Sequence, residues 1–248
     1  MKLLFLLPGI RKELSVAVPA GYGNENGKLR KQAMQEESRK EKNFIKRIYH
    51  AEAPKWLKYA ILFGYPVLLF YITAFMTYNP FVRTRWRAQI LNLLLFEAFV
   101  WLLLAITGSA VIALRTETIL GIVLSIANYY VISFRGSPVV PWDLMSLGTA
   151  ASVAGSYDYT LPPRQIALIL LMLFLAFTEC YAKIHISRKK ILLRAGSAVI
   201  SIACMAGIGW MVQDEAMVSE LQLYPFLFTP TVMYERNGFA VTFLMDMQ

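Results

Sequence analysis

Histidine and cysteine are nearly missing from these 248 residues, with two of each, and charged residues make up only 17%. An ordinary soluble domain carries roughly a quarter. The two cysteines, Cys180 and Cys204, sit in apolar runs without C-x-x-C spacing, which argues against a disulfide framework or a zinc ribbon and for free buried thiols. His50 and His185 have no acidic cluster beside them, so the commonest acid–base residue is unavailable for catalysis. No Walker loop, H-E-x-x-H, G-x-S-x-G or EF-hand pattern occurs, and Asp214, Glu215 and Glu220 lack His or Cys companions at ligand spacing. No catalytic residue and no metal site are assigned to this chain.

What the chain has in quantity is apolar sequence. It is 57% hydrophobic with a mean hydropathy of +0.48. A bilayer core of about 30 Å needs about 20 apolar residues at helical rise. Five stretches qualify: Leu57–Tyr78, Gln89–Leu114, Thr118–Phe134, Arg164–Ile184 and Ile191–Val212. The expected fold class is all-α, a polytopic membrane protein of five transmembrane helices with short interfacial helices on the outer face. Met1–Ile10 imitates a signal peptide, but Pro8 interrupts its brief apolar core and a long charged segment follows, so it reads as part of a cytoplasmic tail.

The net charge of +9 is unevenly spread. Thirteen of the 25 Lys and Arg precede Tyr59, against six of the 16 acidic residues. Cytoplasmic flanks retain positive charge during insertion. With the N-terminus inside, 19 cations fall on the inner side, and the outer six are all arginine: Arg83, Arg85, Arg87, Arg135, Arg164 and Arg236. This orientation places residues 1–55 in a basic cytoplasmic tail, 56–213 in the membrane domain with an outer loop at 135–163, and 214–248 in an extracellular connector. The tail from Glu13 to Glu52 reads as irregular early, with Gly21, Gly23 and Gly27, and helix-compatible from Gln32 to Ile48. Its basic residues suit an ordinary positive-inside flank or contact with anionic lipid equally. Nucleic-acid binding lacks aromatic or motif support.

Ionisable residues inside spans are functional candidates by default. Glu97, Glu179 and Arg194 qualify, with Glu179 and Arg194 placed near the inner interface as a pair. Glu97 falls roughly 12 Å below the outer surface by helix rise. With Asn128 and Arg135 it could form one outward-facing polar cluster, or these residues could simply hold the spans together. The run Asn128–Thr160 contains Pro138 and Pro141 as helix stops and Gly136 as a turn. From Trp142 onward, Leu144, Leu147, Ala151 and Ala154 recur at helical spacing, with Asp143 as N-cap and Gly155 as stop. Trp142 suits the headgroup level. Arg135 suits bidentate phosphate contact, or a salt bridge to Asp143 that shapes the loop. Beyond the fifth span, Asp214–Leu223 reads as a short amphipathic helix, Asn237-Gly238 as a turn, and Phe239–Met247 as an apolar segment that needs covering by lipid or a partner.

The run Asn128–Tyr157, with its N-Y-Y, F-R-G-S-P, P-W-D, T-A and closing Y, resembles the membrane domain of lipoteichoic acid synthase-like proteins. These are sulfatase-like phosphoglycerol transferases of the Gram-positive plasma membrane. Y-E-R-N-G-F at Tyr234–Phe239 is similar to the connector that leads into their extracellular catalytic domain. The resemblance extends over the chain after about Leu57. It implies an enzyme that takes glycerol phosphate from phosphatidylglycerol through a threonine nucleophile beside a divalent metal, usually manganese. Both features belong to an outer domain that this sequence does not contain. The chain is therefore expected to be the membrane anchor and outer-leaflet platform, serving cell-envelope polymer synthesis together with its own or a separate catalytic domain. Its candidate contacts to phosphatidylglycerol or another anionic headgroup are Arg135, Asp143, Trp142, Asn128 and Glu97. A small transporter subunit or a non-catalytic scaffold or sensor are the alternatives, although neither an internal repeat nor polar residues at matched depths on several spans favour transport.

Overall fold

The structure, a computed structural model, describes residues 34–36, 39, 53–145, 159–187, 189–225 and 228–247. Two compact units divide at residues 51 and 52. In the first, residues 34–36 and 39 are helical and exposed. The opening segment 1–10, the rest of the tail and the expected helix beyond Met145 in the outer loop lie outside the described residues.

In the second unit the chain is all-α among the described residues, and five helices are long and apolar enough to cross a membrane. Helix α1 spans Lys55–Phe75 and the short α2 spans Pro80–Arg83. Helices α3, Trp86–Thr107, and α4, Ala110–Arg135, form a tight antiparallel hairpin. A 3-10 turn follows at Pro141–Leu144, then α5 at Pro163–Ala176, extended by a second 3-10 turn at Thr178–Tyr181. Helix α6 spans Ile191–Met211. Three short helices close the chain: α7, Glu215–Glu220; α8, Pro230–Asn237; and α9, Phe239–Met245.

Helices α1, α3 and α4 pack on one another around Leu62, Leu69, Val100, Leu104 and Leu114. Helix α6 lies along α3, and α5 lies against α1 and α4. The spanning windows of α5 and α6 are only 17% and 11% buried, so these two helices turn most of their apolar surface outward. A water-soluble bundle would not expose Leu192, Ile200, Phe174 and Trp210 in this way, whereas hydrocarbon covers them at no cost.

Two of the expected span limits are corrected. The second span ends at Thr107, not Leu114, and the third starts at Ala110 and runs 26 residues. At helical rise it exceeds a hydrocarbon core of about 30 Å, so it needs tilt. The turn is made by Gly108, with φ of +72°, and a Cβ there would approach Ile186 O to 2.9 Å. The chain after α5 clamps this turn through Ile186 N to Gly108 O at 2.8 Å and Ala110 N to Ile184 O at 3.0 Å. Tertiary pairing thus carries α4 through Arg115 and Glu117, polar residues that read as a loop in sequence.

The expected Glu179 to Arg194 pair is also corrected. Glu179 is fully buried, accepts from Thr118 Oγ1 at 2.6 Å and faces Arg115 Nε at 3.4 Å. Tyr65 joins the group through Thr118 at 2.7 Å. Arg194 instead donates Nε to Ala105 O at 2.7 Å and Nη2 to Ile106 O, capping the last carbonyls of α3.

At the opposite end, the Asn237-Gly238 turn is seated on Asn92. The Asn92 side chain is buried in α3, donates Nδ2 to Asn237 O at 2.7 Å and accepts from Ala240 N at 3.0 Å. Gly238 has φ of +80° and ψ of 166°, a region essentially reserved for glycine. A Cβ on it would lie 2.5 Å from Asn92 Nδ2. Gly136 is also left-handed, at φ +72°, but a Cβ there meets open space. Gly136→Ala is therefore expected to cost about 1 kcal/mol from backbone strain alone, and Gly238→Ala about 3 kcal/mol or more from strain plus overlap. Thermal unfolding of both variants in one detergent checks the ranking; equal losses would contradict it.

Candidate functional site at the Arg135 end

The Arg135 end of the bundle carries most of the residues singled out in sequence. Arg135 closes α4, and Gly136 terminates the helix through Gly136 N to Ile132 O at 2.8 Å. The guanidinium then gathers the following loop. Its Nε donates to Ser137 Oγ at 2.6 Å, Nη2 to Pro138 O at 2.6 Å, and the two terminal nitrogens grip Asp143 at 2.6 and 2.8 Å. Four of its five N–H donors are thereby used internally. Asp143 also accepts from Val140 N at 2.9 Å, which fastens the start of the 3-10 turn. The salt-bridge reading of Arg135 and Asp143 is the one the geometry takes, and Asp143 acts from inside the turn.

Asn128 lies buried two turns below Arg135 and accepts from Val139 N at 2.9 Å, so the same loop is pinned from beneath. Trp142 is 57% exposed at the loop's rim. Glu97 stands apart: its Oε2 is buried and has no hydrogen-bond partner among the described residues. Asn128 and Arg135 are thus brought together through the loop backbone, and Glu97 belongs to a different place.

The connector-like segment Tyr234–Phe239 is fixed to the bundle at nearly every residue. Tyr234 Oη lies 3.0 Å from Thr77 Oγ1, and its ring stands edge-on to Tyr78 with centroids 5.1 Å apart. Thr84 Oγ1 donates to Glu235 O at 2.8 Å, and Arg85 N to Arg236 O at 3.2 Å. Asn237 exchanges hydrogen bonds with the backbone of Tyr224, both at 2.8 Å. Thr231 Oγ1 donates to Gly136 O, tying α8 to the Arg135 loop. Most of these bonds were invisible in sequence because they join residues far apart in the chain or end on a backbone carbonyl.

Two spaces open around this platform. One is a cleft of about 740 Å³ beside α7, with Arg85, Gln213, Ser219 and Gln222 among its walls, closed below by Met233 of α8 and Met245 of α9. Arg85 uses Nη1 on Gln222 O at 2.5 Å and keeps further donors. The other is an apolar cavity of about 500 Å³ between α1, α3, α4 and α9. The divalent metal that the resemblance implies finds no seat here: no three His, Cys, Asp or Glu side chains converge among the described residues. No protein-family model, curated protein or solved structure matches the chain.

The Arg135 guanidinium holds the Asp143 carboxyl below its ordinary range, chiefly by hydrogen bonding. A depressed pKa contributes stability above the unfolded value of about 3.9, and that stability is lost as pH falls through the folded value. Arg135 is 44% exposed, so solvent screening limits the coupling to about 1 kcal/mol. A double-mutant cycle of Arg135→Ala and Asp143→Asn is expected to show this coupling at pH 7 and none well below pH 3. Coupling that persists in acid would contradict the ion pair.

Proposed function

We propose that this chain is the membrane anchor and outer-leaflet platform of a lipoteichoic acid synthase-like phosphoglycerol transferase, with the Arg135 end facing out and phosphatidylglycerol as the lipid it presents. The observation that carries the reading is that the arginine-bearing cleft is walled by Met233 and Met245, which lie on the two helices that the connector-like segment Tyr234–Phe239 joins. A domain continuing from such a segment would be held at a fixed distance from the cleft instead of swinging on a loose tether. Positioning of this kind lowers the entropy cost of bringing a reacting group to a bound lipid.

The chemistry of the cleft suits the headgroup. A guanidinium matches a phosphodiester bidentately. Gln213, Ser219 and Gln222 offer donors and acceptors to glycerol hydroxyls. Because Arg135 is committed to its own loop, it shapes the platform, and Arg85 takes the phosphate. The chain's role in the transfer is to bind and orient.

Two measurements test this. In a Cys180→Ser, Cys204→Ser background, Ser137→Cys is expected to react with a membrane-impermeant maleimide added outside intact cells; labelling only after lysis would reverse the orientation. Purified chain is expected to prefer short-chain phosphatidylglycerol over phosphatidylcholine. Arg85→Ala should weaken that binding about tenfold, the worth of a charge-assisted contact of about 1.4 kcal/mol. Equal affinity for the two lipids would refute the assignment.

A further inference from the structure

The cavity between α4 and α9 holds a feature that the platform reading does not use. Helix α9 packs on α3 and α6 with Val241 and Met245, and turns Phe239, Ala240, Phe243 and Leu244 into the cavity. Those four recur at helical spacing, so one whole face of α9 is given to this space. Across it stands α4, with Glu117, Ser125 and Asn128 among the lining residues. From Glu117 to Asn128 the helix rises roughly 16 Å.

Glu117 is 3% exposed, lines the cavity, and neither of its carboxyl oxygens has a hydrogen-bond partner. Buried carboxyls are normally paired, because leaving one unpaired costs several kcal/mol or more. Arg115, two residues before Glu117, faces Glu179 instead.

We propose that the cavity is a binding site for a lipophilic ammonium, an apolar body within about 500 Å³ whose N–H donors meet Glu117. The walls fit such a guest. Phe70, Phe96, Phe99, Phe239 and Phe243 line the same cavity, and aromatic faces attract a desolvated cation. A plain acyl chain would fill the same space and leave the carboxyl as unpartnered as before. Charge complementarity selects the amine. The site is separate from the Arg85 cleft and stands whether or not that cleft binds phosphatidylglycerol.

Native mass spectrometry of the detergent-solubilised chain provides the test, with dodecylammonium as probe and dodecanol and dodecanoate as isosteric controls. One dodecylammonium per chain is expected, held at least tenfold more tightly than either control. Glu117→Gln should abolish the preference. Ala240→Leu, which adds bulk to the cavity wall with the carboxyl intact, should lower binding of all three probes. Arg85→Ala should leave amine binding unchanged. Equal retention of dodecanol, or a Glu117→Gln variant that keeps its preference for the amine, would overturn the proposal.

Discussion

Inside a hydrocarbon layer no water is available to an unpaired N–H or C=O, so each irregular piece of backbone must find its partners within the chain. The contact between Asn92 and the Asn237-Gly238 turn meets that demand. One amide side chain takes Asn237 O on its nitrogen, and Ala240 N, with Val241 N at longer range, on its oxygen. It does so six residues into α3, which is roughly 9 Å below the helix start. With Tyr234 on Thr77, Thr84 on Glu235 O and the packing of Val241 and Met245, it lays α8 and α9 against the spans.

Everything at the Arg135 end follows from that seating. Once α8 is held, Tyr234 reaches Thr77, and Thr231 reaches the Gly136 carbonyl. The loop that Arg135 organises then becomes continuous with the connector. Once α9 is held, it divides the space beside α3 into a polar cleft on one side and an apolar cavity on the other, with Met245 walling the first and Phe243 the second. The Gly108 end uses a different device: a glycine turn clamped by an extended strand-like segment, and an arginine that caps carbonyls.

Five apolar helices were legible in sequence because length and composition settle them, and the short helix beginning at Asp214 was legible because its side chain caps Met217 N. The Asn237-Gly238 turn was marked by its residue types. The Gly108 turn was not, since one glycine in an apolar run gives no stop signal without the distant Ile186 that pins it. The same gap hid Glu117. Read as part of a polar loop with Arg115, it carried no weight, and its meaning appears only when α4 is seen to run through it. Arg135 and Asp143 were recognised as partners from their spacing, but which use Arg135 would serve depended on Ser137 and Pro138 absorbing its remaining donors.

The central claim is that residues 234–245 form a seated part of the membrane domain. Hydrogen–deuterium exchange on the chain in lipid nanodiscs tests it most directly, because backbone bonded to Asn92 and shielded by α3 exchanges only through opening. Peptides covering 234–245 are expected to exchange as slowly as those of α3. Exchange at the rate of an unstructured chain, with α3 still protected, would contradict it.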